Sequence, residues 1–473
     1  MLFNSFDFFL FFTIVIILYY ILRKKEYQNI LLLIMSYYFY GSWNVSFLSL
    51  IIISTIVDFF IGKKIYIISN KKHRKILLFC SMATNLGILA VFKYYNFFIS
   101  NLIELFSISN SNNLFLIKIV LPVGISFYTF QTMSYTIDIY KNKLKPSLNI
   151  FDFALFVSFF PQLVAGPIER ASNFLPQVTK SRKFSKVQFQ EGGWLIIWGL
   201  YKKIFIADNI SHIVDYTFSN NLTFNGTVAI AGILAFSVQI YCDFSGYSNI
   251  ARGLCKLMGF ELMVNFKFPY FVTNPSDFWR NWHISLSTWL KDYLYIPLGG
   301  NKFGSLLTYR NLIITMVLGG LWHGAAWNYV VWGIYHGFLL SIHRLLKPYL
   351  EKISFKVSIF NDVWFSFKLL SMLILTLFGW LIFRANNLSQ INIFILSIFK
   401  NFQLTELSYK FLVNIVYLSI PLFLIQYTQY KKINMYFVLN INFVYKIVLI
   451  SYLLCCIMFL GDYNGGEFIY FQF

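Results

Sequence analysis

The sequence predicts an all-α, polytopic membrane protein, and three observations carry that prediction. Of the 473 residues, 58% are hydrophobic and only 12% charged, whereas a soluble protein has about a quarter of its residues charged. Apolar runs recur from Phe8 to Phe459, with no polar stretch long enough to form a separate soluble domain. The basic residues, in excess by a net charge of +20, fall in short clusters between those runs: Arg23-Lys24-Lys25, Lys63-Lys64, Lys71 to Lys75, Lys141 to Lys145, Arg182-Lys183 and Lys431-Lys432. Such clusters mark cytoplasmic loops. They do not build a basic face interleaved with stacking aromatics, so nucleic acid is excluded as a partner and membrane lipid is expected. The reading is one integral membrane domain over 1–473, with core motifs in 121–340 and C-terminal helices in 363–473.

Phe8 to Leu22 is a short first span, stopped by Arg23-Lys24-Lys25. It lacks the basic leader and small-residue site of a cleavable signal, and the N-terminus is expected outside. Asn29 to Ile61 must then cross twice, because the basic clusters on either side of it belong to one face; Gly41-Ser42-Trp43-Asn44 supplies the turn. Ile76 to Phe98 goes outward, Asn101 to Asn113 is an external loop, and Leu114 to Tyr140 returns with a break at Pro122-Val123-Gly124.

From Pro146 to Lys203 the pattern changes. Phe151 to Phe160 is interrupted by Pro161 and Gly166-Pro167, which suits a re-entrant or interfacial piece. Gln190 to Ile206 carries Lys202-Lys203 within an apolar run, as an interfacial helix with snorkelling lysines would. Asn220 to Thr227 reads as an outer loop in which Asn221 and Asn225 open formal glycosylation triplets. Val228 to Tyr241 descends into Asp243-Phe244-Ser245-Gly246-Tyr247-Ser248; these polar residues line a cavity, bind a cation or cap a helix.

Asn274-Pro275 is a helix start. That helix is expected to run to Tyr295, before Pro297 and Gly299-Gly300, with Trp279, His283 and Ser287 on one face. Asp277, Arg280, Asn281, Lys291 and Asp292 make it too polar to face lipid. Arg310 to Arg344 rises and returns, carrying His323 into the membrane, with His336 and His343 seven residues apart on its second limb. Val363 to Phe383, Tyr409 to Tyr427 and Tyr436 to Leu460 complete the spans, leaving Asp462 outside. The five cysteines show no metal or redox spacing, and most sit in apolar context, where a free thiol behaves as a small hydrophobe.

Two histidines stand out chemically. His323 lies in Gly319-Gly320-Leu321-Trp322-His323-Gly324 inside a long apolar run, and His283 lies forty residues upstream. An ionisable group in a membrane-length apolar segment is by default a functional candidate. A lone buried histidine is more often a packing residue, but the flanking glycines, each costing about 1 kcal/mol in a helix, imply a close approach of backbone or ligand to the imidazole.

These residues resemble the membrane-bound O-acyltransferase family, in its bacterial alginate O-acetyltransferase-like branch. The resemblance rests on Asp243 to Ser248, Phe278-Trp279-Arg280-Asn281-Trp282-His283 through Leu290, Asp292 to Asn301, and Gly320-Leu321-Trp322-His323-Gly324. Gly124 to Tyr128, Phe160 to Ile168 and Phe468 to Phe471 extend it. The D-alanyl-transferring relatives share the Asp243 and Trp322-His323 elements, whereas Tyr295-Ile296-Pro297-Leu298-Gly299-Gly300-Asn301 points to the acetyl-transferring branch. The resemblance implies a ring of tilted transmembrane helices, with re-entrant or interfacial helices around a thinned central cavity. It implies that His323 is catalytic and His283 assists. Candidate substrate contacts are Asp243, Ser245, Tyr247, Trp279, Arg280, Asn281, Ser287, Lys291 and Trp322. No metal is implied and no tightly bound cofactor; the donor is an acyl thioester such as acetyl-CoA.

Acyl transfer to a hydroxyl needs a base, and an imidazole with an ordinary pKa of about 6.5 can take the alcohol proton near neutrality. No Gly-x-Ser-x-Gly serine elbow is present, which favours direct transfer, or relay to a secreted SGNH or esterase-like partner, over a serine acyl-enzyme. The expected acceptor is an extracytoplasmic polysaccharide, in the cell envelope of a bacterium with an inner membrane. Alternatives are D-alanyl transfer to teichoic acid and, in a different class, a polysaccharide or lipid-linked sugar transporter using the histidines as a proton relay. No internal repeat of the kind many transporters show supports the last.

Overall fold

The computed structural model describes residues 1–106, 116–163, 166–219, 225–353, 357–463 and 468–469. Val164-Ala165, Asn221, Tyr470-Phe471 and most of the external loop expected at Asn101 to Asn113 lie outside the described residues. All regular structure among the described residues is helical. Among the described residues, six helices are long and apolar enough to cross a membrane: Val45–Ile67, Lys71–Leu105, Gly226–Leu257, Ser358–Arg384, Glu406–Lys432 and Phe443–Leu460. The chain is therefore an all-α, multi-pass membrane protein. It divides into two compact units, residues 1–193 with 251–263, and residues 194–250 with 264–473.

Side-chain caps start many of these helices where the sequence offers them. Ser5 accepts from the amide of Phe8, Asn70 from Lys72 and His73, Asn387 from Gln390, and Asn442 from Val444. Thr405 and Ser408 form a reciprocal capping box. Each cap satisfies an amide that has no partner within its own helix, and the need is greater where water is scarce.

In the first unit, a buried polar network joins three helices. Asp58 on Leu48–Ile67 accepts from the Ser81 hydroxyl at 2.5 Å and the Asn85 amide at 2.8 Å, both on Lys71–Leu89. The Asn85 carbonyl oxygen accepts from Ser54 at 2.6 Å and from Thr132, on Ile125–Tyr140, at 3.1 Å. Such a network fixes which faces of the helices meet, because any rotation leaves buried polar groups unpaired. The turn expected at Gly41 to Asn44 is present, between Lys25–Gly41 and the 3₁₀ turn Val45–Phe47.

The second unit departs from the sequence reading at three places. The helix expected over 274–295 is broken: Pro275–Asn281 and Ile284–Leu290 flank Trp282-His283, and Lys291–Tyr295 is a π-helix. Trp279, His283 and Ser287 therefore do not share one helical face. Lys202 and Lys203 do not snorkel; both are about 2% exposed, inside the π-helix Tyr201–Ala207. Asp243 to Ser248 neither ends a span nor caps one, because Gly226–Leu257 runs through it without a break.

Candidate active site

The site is built from the broken segment, the end of one helix and the middle of another. Asn274 caps Pro275–Asn281 by accepting from the Asp277 amide at 2.9 Å, with Pro275 in the first turn. The chain then turns through His283, which is held in the left-handed region at φ +43° and ψ +55°. A non-glycine residue pays about 1–2 kcal/mol for that conformation. Asn265 accounts for it: its carbonyl accepts from the Ile284 amide at 2.9 Å and its side-chain oxygen from the Ser285 amide at 3.3 Å. The next helix thus takes its cap from a distant residue, and the turn before it carries the imidazole inward to full burial.

His323 is the last residue of the helix Ser305–His323. It is 4% exposed and sits among Trp322 at 5.0 Å, Trp332 at 5.3 Å and Phe383 at 5.3 Å between ring centroids. The two imidazole rings lie 6.5 Å apart between centroids, tilted at 55°; Phe244 lies 4.7 Å and Trp322 5.9 Å from the His283 ring. The glycines near His323 serve helix packing. A Cβ at Gly320 would come within 2.1 Å of the Tyr329 carbonyl oxygen, and one at Gly333 within 2.5 Å of the Met316 carbonyl oxygen. Glycine at these points lets Ser305–His323 lie directly on Trp327–Leu350 and sets the height of the imidazole.

Asp243 and Ser245 turn toward the π-helix Tyr201–Ala207. The Lys203 ammonium lies 3.0 Å from Asp243 and 2.7 Å from Asp208, and Lys202 donates to the Ser245 hydroxyl at 2.9 Å. The two helices cross at paired glycines: a Cβ at Gly199 would lie 2.6 Å from the Gly246 carbonyl oxygen, and one at Gly246 2.9 Å from that of Gly199. The other Asp243 oxygen accepts the Ile469 amide at 2.7 Å, which seats Phe468 against Tyr247 at 4.5 Å and Phe244 at 5.9 Å. The ion cluster thereby braces the aromatic wall behind His283.

The remaining sequence-predicted residues separate into groups. Trp322 belongs to the wall beside both histidines. Trp279 lies 5.1 Å from the His336 ring and 5.6 Å from Trp332. Asn281 donates to the Asp277 carbonyl and Ser287 to the Trp282 carbonyl, so both brace the broken segment. Arg280, paired with Asp277 at 3.1 Å, and Lys291 are exposed. Sequence reasoning missed Lys202, Lys203 and Asp208, although two cations inside an apolar run were the available signal. It also left His336 without a role.

Fold and site together define a multi-pass membrane protein with two neighbouring imidazoles inside an aromatic chamber. The chain belongs to the membrane-bound O-acyltransferase family, whose model matches residues 140–388, and it is an O-acyltransferase. It is similar to a "Probable alginate O-acetylase" of Pseudomonas putida, with 42% identity covering 74% of this chain and 70% of the relative. A "Peptidoglycan O-acetyltransferase" of Helicobacter pylori is 36% identical over 74% of this chain and 69% of that protein. A "Teichoic acid D-alanyltransferase" of Bacillus subtilis is 28% identical over 49% of this chain and 60% of that protein. The chain thus spans about two-thirds of the length of the more similar relatives.

Proposed function

We propose that the protein moves an acetyl group from a cytoplasmic thioester donor across the membrane to a hydroxyl of an extracytoplasmic polysaccharide, directly or through a secreted partner. The observation that carries this reading is the pair of buried imidazoles 6.5 Å apart, near enough for one small group to touch both. His323 takes the alcohol proton as the oxygen attacks the thioester carbonyl. The tetrahedral intermediate expels the thiolate, and the imidazolium returns the proton to the leaving sulfur. His283 orients the donor and steadies the charge on the carbonyl oxygen. The polysaccharide acceptor is supported by the alginate and peptidoglycan relatives, an O-acetylase and an O-acetyltransferase. The similarity to a teichoic acid D-alanyltransferase is weaker and covers less of the chain. The setting we infer is a bacterial cytoplasmic membrane with both termini outside.

The test is His323→Ala. General acid–base catalysis contributes about 10²–10⁴-fold, so O-acetyl content of the envelope polymer should fall to background while the membrane abundance of the variant stays at the wild-type level. Wild-type acetylation in the variant would remove His323 from the chemistry. Loss of the protein itself would make His323 a packing residue.

A further inference from the structure

Around His336, three polar groups sit together without partners. His336 is 2% exposed and Trp332, one turn earlier on Trp327–Leu350, is 1% exposed. Trp279, on Pro275–Asn281, is half-buried. The three rings touch: His336 lies 4.7 Å from Trp332 and 5.1 Å from Trp279, and the two indoles are 5.6 Å apart. Phe278 stacks on the imidazole at 6.1 Å and 6°. Its Nε2 edge lies against the backbone of Gly379, where a Cβ would come within 2.9 Å. Yet the indole N–H of Trp279, the indole N–H of Trp332 and Nδ1 of His336 are all buried with no hydrogen-bond partner among the described residues.

Buried polar atoms are nearly always hydrogen-bonded, and each exception asks for a cause. Three in mutual contact ask for a shared one. Packing alone is a poor cause, since phenylalanine or leucine would fill the space without an unpaired group. Two indoles can only donate, and an imidazole donates from one nitrogen and accepts at the other. The complement is an oxygen that accepts, next to a group that can also donate or accept, which describes an amide. Position narrows the source. Trp332 also touches His323 at 5.3 Å, so the cluster begins one ring away from the proposed base. In the other direction, Arg280 follows Trp279 and is exposed, and His343 stands seven residues beyond His336, about 10 Å along the helix, and is only half-buried.

We propose that Trp279, Trp332 and His336 form a subsite for an amide of the acyl donor's arm. The arm common to biological acyl thioesters carries amides a few bonds from its sulfur, and this subsite would hold one while the thioester reaches His323. The proposal rests on the thioester-donor reading given above.

The experiment uses the full chain, purified in detergent, and two thioester probes. S-Acetyl-N-acetylcysteamine carries an amide; S-acetylpentanethiol has the same chain length without one. Thiol release with the acceptor polymer present is measured across probe concentrations for wild type, Trp279→Phe, Trp332→Phe, His336→Leu and His336→Gln. Wild type should favour the amide probe by about tenfold in kcat/KM, the worth of one net hydrogen bond. Trp279→Phe, which keeps the ring contacts, and His336→Leu should raise the KM for the amide probe by more than they lower kcat, bringing the preference near one. His336→Gln, which restores a hydrogen-bonding group, should recover part of it. Equal handling of both probes by wild type overturns the subsite while leaving the donor class intact. Equal losses of kcat on both probes in every variant also overturn it, leaving a structural role. A wild type that releases thiol from neither probe instead sinks the thioester-donor reading itself.

Discussion

His283 and His323 are both buried, but the chain holds them differently, and the division of work proposed for them is tested on that difference. His323 ends a regular helix whose height is set by glycine contacts with its neighbour. His283 hangs from a strained turn fixed by Asn265, with Pro275–Asn281 and its exposed Arg280 leading into it. If the donor arrives along that segment, His283→Ala should chiefly weaken donor use, and rates with an acetyl thioester should recover in part at high donor concentration. His323→Ala should show no recovery, because no concentration of donor replaces a base. The reverse pattern would exchange the roles, and equal unrecoverable losses would mean that the imidazoles act as one unit. Both histidines were legible in the sequence, His323 as an ionisable group in an apolar run and His283 as part of the Phe278 to Leu290 motif that carries the family resemblance. Their separation was not, because it depends on a left-handed residue in a stretch that contains neither glycine nor proline.

At the level of elements, the sequence marked where helices begin more faithfully than where they bend. Asn274-Pro275 and Gly299-Gly300 bound the segment as expected, with Gly299 and Gly300 at φ +111° and +56°. The internal break needed Asn265 to accept from the Ile284 and Ser285 amides, which no local pattern signals. The π-helix Tyr201–Ala207 poses the same difficulty. Its lysines read as snorkelling until their partners, Asp243 and Ser245, are brought beside them across the Gly199–Gly246 crossing. Removing a single partner from a buried ion pair leaves an uncompensated charge and costs about 3–5 kcal/mol. Lys203→Met should therefore lower the thermal unfolding temperature of the purified protein sharply, and it should loosen Phe468 from the wall. Adding Asp208→Asn and Asp243→Asn should return much of the loss, since the charges then vanish together. A Lys203→Met protein that melts like wild type would mean that the cluster contributes nothing to the fold.

Across the whole molecule, the positions of charge should decide which way the chain runs through the membrane. The cluster Lys71 to Lys75 makes the point locally. The apolar helix Leu48–Ile67 ends just before it, Asn70 caps the next helix, and that helix runs on through Leu105 as a second span. A connection of three residues can only join two spans at one face, so the cluster lies on a single side of the bilayer. Because basic loops are retained in the cytoplasm, we predict residue 72 inside and, by alternation of the six apolar helices, the residues after Leu460 outside. The measurement is labelling of sealed cells with a membrane-impermeant maleimide, after replacing Cys80, Cys242, Cys255, Cys455 and Cys456. Lys72→Cys should react only once the cells are opened, whereas Tyr463→Cys, exposed beyond the last span, should react at once. Strong labelling of position 72 in sealed cells would invert the topology, and with it the side from which a donor must reach His323.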